Sequence, residues 1–268
     1  CAQDNEYIDF TSKPDIVRLN QSIGSVDNDI IKRLQIKKTI QEHLSKELHL
    51  NPKGYKVLSL FFLDEVSNYR IYDEEGNKQN GKYAKMFEEE YNKLITKPKY
   101  NQLFDKILDK NVDISQVHNG YFSIDKSKKL KDTRGNTIAD EDTYSLIMKD
   151  KEKLLSFSSN LRFIFSHSAL KEGWDNPNVF QICTLNDTGS EIKKRQEIGR
   201  GLRLAVNQQG ERTQDFSINT LTVMANESYE DFVKKLQKET ELETGIQFGK
   251  LDDFSFDKII TINDKNKE

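Results

Sequence analysis

Leu161-Arg162-Phe163-Ile164-Phe165 is a short apolar run. The polar stretch Ser166-His167-Ser168-Ala169-Leu170-Lys171-Glu172-Gly173-Trp174-Asp175-Asn176-Pro177-Asn178 separates it from a second run, Val179-Phe180-Gln181-Ile182-Cys183-Thr184-Leu185. Each run has the length and character of a buried strand, and strand, crossover, strand implies a parallel sheet. The pattern recurs upstream in Lys56 to Leu63, after the chain break Asn51-Pro52-Lys53-Gly54, and downstream in Ile218 to Met224. Before the break, residues 27 to 48 open with acids and carry Ile36, Ile40, Leu44 and Leu48 at four-residue spacing, which predicts an amphipathic helix capped near Asp27. Ser228-x-x-Asp231 reads as the capping box of a last helix running through Phe232, Val233 and Leu236. The expected fold class is α/β, a parallel sheet flanked by helices.

Residues 71 to 155 differ in character. They hold turn signals at Glu74-Glu75-Gly76-Asn77, Asn80-Gly81 and Arg134-Gly135-Asn136, dense charge, and one helical stretch from Tyr83 to Thr96. The expectation is an accessory segment inserted into the α/β domain and lying on its surface, with a hairpin around Tyr121 to Lys131. The chain then divides into a lead-in segment with its helix (1–50), a core (51–70 and 156–245), the insertion (71–155) and a linker (246–268).

Of 268 residues, 41 are Lys or Arg and 44 are Asp or Glu, a net charge of −3 that provides no global attraction to nucleic acid. No stretch approaches the ~18 apolar residues of a membrane span. The opening Cys-Ala-Gln-Asp-Asn-Glu has neither a basic cap nor an apolar run, so a cytoplasmic protein without a signal peptide is expected. Beginning on Cys1 suggests a processed product or an excised piece of something longer. Two cysteines exclude a disulfide framework, and His43, His49, His118 and His167 show no ligand spacing with them, so no metal site of that kind is expected.

Two segments carry the chemistry. In Arg195-Gln196-Glu197-Ile198-Gly199-Arg200-Gly201-Leu202-Arg203, on or at the end of a helix beginning near Ser190, Gln196, Arg200 and Arg203 stand four and three apart and share a helix face. Gly199 and Gly201 each weaken a helix by roughly 1 kcal/mol against alanine, which suits a backbone that something must approach closely. Paired guanidiniums beside such backbone fit a nucleotide phosphate. Lys193, Lys194 and Arg195 read instead as a solvated basic face. The second segment, Ser166 to Pro177, leaves a strand at its carboxyl end, where open parallel sheets bind ligands. Asp175 with Glu191-x-Lys193 imitates a metal-dependent nuclease signature, but 200° separates Glu191 and Lys193 on a helix, so the match is read as accidental. Leu60-Phe61-Phe62-Leu63-Asp64-Glu65 imitates a magnesium-binding strand and is read as a core strand ending in solvated acids.

The runs Arg162 to Val179 and Gln196 to Leu204 resemble motifs V and VI of superfamily 2 helicases, and more narrowly the Res subunit of type III restriction-modification enzymes. The resemblance implies the second RecA-like lobe of an ATP-driven DNA motor, the helicase C-terminal lobe. It implies that Arg200, Arg203 and Gln196 act on ATP, that Gly173, Asp175 and Gly199 line the nucleotide cleft, and that His167 and Ser168 contact DNA. His167 and Ser168 depart from the threonine common in the superfamily, and Glu197 stands where many RNA helicases have arginine, which favours a DNA-directed branch. The implied cofactors are ATP and Mg2+, shared with a first RecA-like lobe. The implied partners are double-stranded DNA and a methyltransferase (Mod) subunit, in the bacterial cytoplasm. The implied activity is that of an ATP-dependent type III site-specific deoxyribonuclease whose nuclease domain lies beyond the linker. No G-x-x-x-x-G-K-[ST] phosphate loop occurs in the sequence, so the chain alone is expected to be inactive. Lobe 2 of a superfamily 2 repair helicase, or a non-catalytic nucleic-acid-binding module, are the alternatives.

Overall fold

The structure, a computed structural model, describes residues 7–9, 16–18, 28–75, 77–106, 108, 111–122, 147, 150–167, 176–186, 191–225 and 228–244. Its strands are β1 (Tyr7–Asp9), β2 (Ile16–Arg18), β3 (Leu58–Phe62), β4 (Arg70–Tyr72), β5 (Lys78–Asn80), β6 (His118–Tyr121), β7 (Phe163–Ser166), β8 (Val179–Thr184) and β9 (Thr222–Met224). Its helices are α1 (Asn28–Leu50), α2 (Lys82–Ile95), α3 (Asn101–Lys106), α4 (Ile114–Val117), α5 (Lys151–Leu155), α6 (Glu191–Gly199) and α7 (Ser228–Thr244). Strands β1 and β2 pair antiparallel, as do β4 and β5.

The main sheet has five strands in the order β6-β7-β3-β8-β9, and every pairing in it is parallel. All residues of β3, β7 and β8 are buried, which is why those strands read as unbroken apolar runs. Successive side chains still alternate between the faces. Phe61, Phe163, Phe165 and Cys183 join Ile36, Ile40 and Leu44 of α1 and Phe87 of α2 in one core cluster. Leu58, Leu60, Phe62, Ile164 and Ile182 join Leu154 of α5 in another. Phe61 and Phe165 stack at 4.4 Å between centroids, and Phe87 meets Phe163 edge-on at 4.8 Å.

Helix α1 follows its predicted pattern, with Ile36, Ile40 and Leu44 fully buried and Leu48 partly so; Asp27 lies outside the described residues. The helix stops where the sequence breaks. Pro52 sits in a 3-10 turn, Asn51–Lys53, and Gly54 takes φ +83° with its N–H donated to the Asn51 carbonyl at 2.9 Å. A polar seam crosses the same interface: Glu47 pairs with Arg162 at 2.7 Å and with His43 at 3.1 Å, and His43 meets the Ser59 hydroxyl at 2.7 Å.

The stretch 71–155, expected on the surface, enters the core in its described part. Tyr83, Phe87 and Tyr91 of α2 are buried at four-residue spacing, and β6 is an edge strand of the main sheet parallel to β7. Most charges of α2 lie on its other face, Glu90 being buried, and they hide that stripe when the segment is judged by composition. Tyr121 therefore ends a parallel strand instead of opening a hairpin, and residues 123–131 lie outside the described set. The turn signals at 74–77 do close a hairpin, between β4 and β5, where Asp73 Oδ1 accepts from the Asn77 N–H at 2.7 Å. The strand predicted over Ile218 to Met224 is confined to β9. Among the described residues, no helix is long and apolar enough to cross a membrane.

Candidate functional site

Helix α6 descends from the loop after β8, packing Ile198 against Phe232 of α7. It ends at Gly199, and its closing turn is held by Arg200 N–H to Glu197 O at 3.3 Å and Gly201 N–H to Ile198 O at 2.9 Å. Arg200 thus follows exposed Gln196 across the last turn and is half-buried, whereas Arg203 lies beyond the helix, exposed. The helix face that the sequence predicted for all three does not extend to Arg203, because the chain leaves the helix at its glycines. Their roles differ. A Cβ on Gly199 would meet nothing within 4 Å, while one on Gly201 would lie 2.4 Å from Leu221 Cδ1, so a side chain at Gly201 would have to displace Leu221 and Gly199 faces open space.

The basic run before the turn is not a uniformly solvated face. Lys194 is buried, its ammonium 5.9 Å from the Phe232 ring, and Arg195 is ion-paired with Glu239 of α7. Glu197 is also buried and accepts from Asn186 Nδ2 at 3.2 Å, so it points into the domain.

Beyond Arg203 the chain forms a short antiparallel turn, with Val206 bridged to Arg212 and Gly210 at φ +83°. Two asparagines hold its base. Asn178, fully buried just before β8, donates Nδ2–H to Val206 O and accepts Val206 N–H on Oδ1, each at 2.8 Å. Asn219, just before β9, accepts Ala205 N–H at 2.9 Å and donates to Thr213 O at 2.8 Å. The tip is anchored as well: Gln208 N–H bonds Gly54 O at 2.9 Å and its side chain bonds Leu155 O at 2.8 Å.

The arginine turn therefore sits at the amino edge of the sheet, beside Leu221 at the entry to β9. Gln181 pairs with Thr222, so Leu221 is level with Phe180; Ser166 and Thr184 both pair with Phe62, so His167 is level with Leu185. At about 3.3 Å per residue, His167 and the arginine turn are about 16 Å apart along the strands. The loop leaves β7 at its carboxyl end, as the sequence predicts, with His167 exposed there. Ser168, Gly173 and Asp175 lie outside the described residues, but the loop that carries them re-enters at Asn176, at the amino edge. There the Asn178 and Val206 pair joins it to the segment that follows Arg203. Asn178 and Asn219 do not stand out in the sequence as functional residues. The only signal was Asn-Pro-Asn, which reads equally as turn chemistry.

A five-stranded parallel sheet covered by helices on both faces, with an arginine turn at its edge, is an α/β domain of RecA-like type. No profile of a known protein family matches the chain. It is, however, homologous to a segment of type III restriction-modification Res subunits. Over 187 residues it is 44% identical to the EcoPI Res subunit of Escherichia phage P1 and to the EcoP15I Res subunit of Escherichia coli, covering 67% of this chain and 18% of each relative. With the StyLTI Res subunit of Salmonella typhimurium strain LT2 it is 35% identical over 249 residues, 82% of this chain and 23% of the relative. The chain thus spans about a fifth of the length of these relatives.

Proposed function

We propose that the chain is the second RecA-like lobe of an ATP-dependent DNA motor in a type III restriction enzyme, contributing arginines to an ATP site completed by a first lobe. The observation that carries this is the joint at the amino edge. There the reciprocal bonds of Asn178 and Val206 join the entry of β8 to the segment that follows Arg200 and Arg203, in a chain homologous to Res subunits.

The residues present suit the anionic end of a nucleotide. Arg200 and Arg203 offer two planar forks, which neutralise charge on phosphate oxygens bidentately, and Gly199 leaves its backbone approachable. Among the described residues, no group of three or more His, Cys, Asp or Glu side chains is placed to hold a metal ion. Magnesium in this proposal is bound by the phosphates and the other lobe. ATP supplies the phosphoryl group whose transfer releases free energy; this chain's residues bind its charge and hold the arginines in place. Gln196, exposed one turn before Arg200, is assigned to the same nucleotide. His167, at the opposite edge with Ser168 next to it, is assigned to DNA. Double-stranded DNA and a methyltransferase subunit are the proposed partners, by similarity to proteins named as restriction-modification enzymes.

In the complete polypeptide, Arg200→Ala lowers DNA-dependent ATP hydrolysis by on the order of 10³-fold, as expected of an arginine stabilising transferred phosphate. Turnover close to that of the unaltered protein would remove Arg200 from the site. The chain by itself, having no phosphate loop, is expected to show negligible turnover.

A further inference from the structure

The geometry points to Asn178 as a positioning residue that fixes the arginine turn against the amino edge of the sheet, an inference that rests on the arginine role proposed above. Asn178 uses nearly every polar atom it has. Its side chain donates to Val206 O and accepts from Val206 N–H, both at 2.8 Å, imitating the exchange between two strands. Its backbone carbonyl accepts Leu58 N–H at 2.9 Å, at the start of the central strand, and its N–H approaches Asn176 Oδ1 at 3.3 Å. The residue is fully buried. No other amino acid of that length offers one donor and one acceptor side by side, since aspartate cannot donate and leucine can do neither.

The consequence follows from where the two segments lead. Val206 is three residues from Arg203, and Asn178 is three residues from Asp175. Neighbouring joints fix the rest: Asn219 holds Ala205, and Lys46 of α1 donates to Phe180 O at 3.1 Å and to Thr220 O, next to the Leu221 that packs on Gly201. Of these, the Asn178 pair ties the segment after Arg203 to the entry of β8 and, through Leu58, to the central strand. Without it the turn keeps its anchors at Asn219 and Gln208 but loses its tie to the entry of β8. A shift of about 1 Å at a group that stabilises a transition state costs up to about 10²-fold in rate.

The test is a double-mutant cycle on ATP hydrolysis by the complete polypeptide, with Asn178→Ala and Arg203→Ala singly and together, and with thermal unfolding recorded for each variant. A positioning role predicts that Asn178→Ala lowers kcat by roughly 10-fold or more with little change in KM, and by less than about 2-fold once Arg203 is gone, because groups acting as a unit are not additive. A purely structural role predicts the same proportional loss in both backgrounds, or a lower melting temperature with kcat unchanged; either result overturns the inference. If Arg203→Ala retains full activity, the arginine reading fails and takes this inference with it. An impaired Arg203→Ala to which Asn178→Ala adds its whole effect overturns this inference alone. If Asn178→Ala does not fold, Asn178→Ser, which keeps a hydroxyl able to form one of the two bonds, is put through the same cycle and judged by the same outcomes.

Discussion

Glu47→Gln removes one negative charge from the interface between α1 and the sheet and leaves Arg162 buried with its charge. Glu47 is 1% exposed and Arg162 is 4% exposed, so neither has recourse to water. Arg162 is held by Glu47 Oε2 at 2.7 Å and by the Tyr91 hydroxyl, with the Tyr91 ring centroid 5.5 Å from its guanidinium. Burial pushes the Glu47 carboxyl up, but Arg162 first and His43 second outweigh it, and the carboxyl rests below its ordinary range. Removing one partner of such a pair costs about 3–5 kcal/mol, a large share of the ~5–15 kcal/mol that holds a domain folded. Urea denaturation of the two proteins at pH 7 checks this. Because the folded carboxyl titrates below the unfolded one, the pair's contribution is complete above the ordinary glutamate pKa of about 4.3 and lost as pH falls through the depressed value. The gap between wild type and variant should therefore close only in acid. Replacing both partners, Glu47→Leu with Arg162→Met, should recover most of the loss. A penalty below about 1 kcal/mol for Glu47→Gln, as surface pairs show, would refute the reasoning.

Two further outcomes are expected. Gly201→Ala destabilises by about 1–3 kcal/mol through overpacking against Leu221, while Gly199→Ala, with no neighbour within 4 Å, is neutral or stabilising by up to about 1 kcal/mol; equal effects in thermal unfolding would contradict the separate roles assigned to the two glycines. Burial, then the charge of Arg162, pulls the Lys56 ammonium down to about 7, although it donates to the Ser156 and Ser159 carbonyls. Between that value and the unfolded pKa of about 10.4 the unfolded chain holds more protons, so stability relative to Lys56→Met rises with pH, by about 2 kcal/mol from pH 7 to 9. A difference between the two proteins that stays flat over that range would mean that Lys56 is not desolvated.

The central strands are legible because burial on both faces makes them mostly apolar: Leu58 to Phe62, Phe163 to Phe165 and Val179 to Thr184 admit only Ser59, Gln181 and Thr184 as polar residues, all buried. Helix α1 was legible for the opposite reason, since Ile36, Ile40 and Leu44 mark one stripe on a polar cylinder. Helix α2 carries the same signal in Tyr83, Phe87 and Tyr91, but the lysines and glutamates between them dominate any average over the segment, so by composition a core element looks like a surface one. Strand β6, His118 to Tyr121, is too short and too polar to declare itself; it is a strand because β7 offers it an edge. At the candidate site the arginines and glycines were visible as residue types. What the pattern could not give was the point at which α6 stops, or the side-chain amide of Asn178 that closes the amino edge, since both depend on partners distant in sequence.

The central claim is that Arg200 and Arg203 face phosphate held by a neighbouring lobe. It is tested most directly by a structure of the complete polypeptide with ADP and a mimic of the transferred phosphoryl group. The account predicts guanidinium nitrogens of both residues at hydrogen-bonding distance, about 2.7–3.2 Å, from the oxygens of the mimic or of the adjoining phosphate. Both side chains engaged in ion pairs elsewhere, with the nucleotide bound away from the turn after α6, would contradict it.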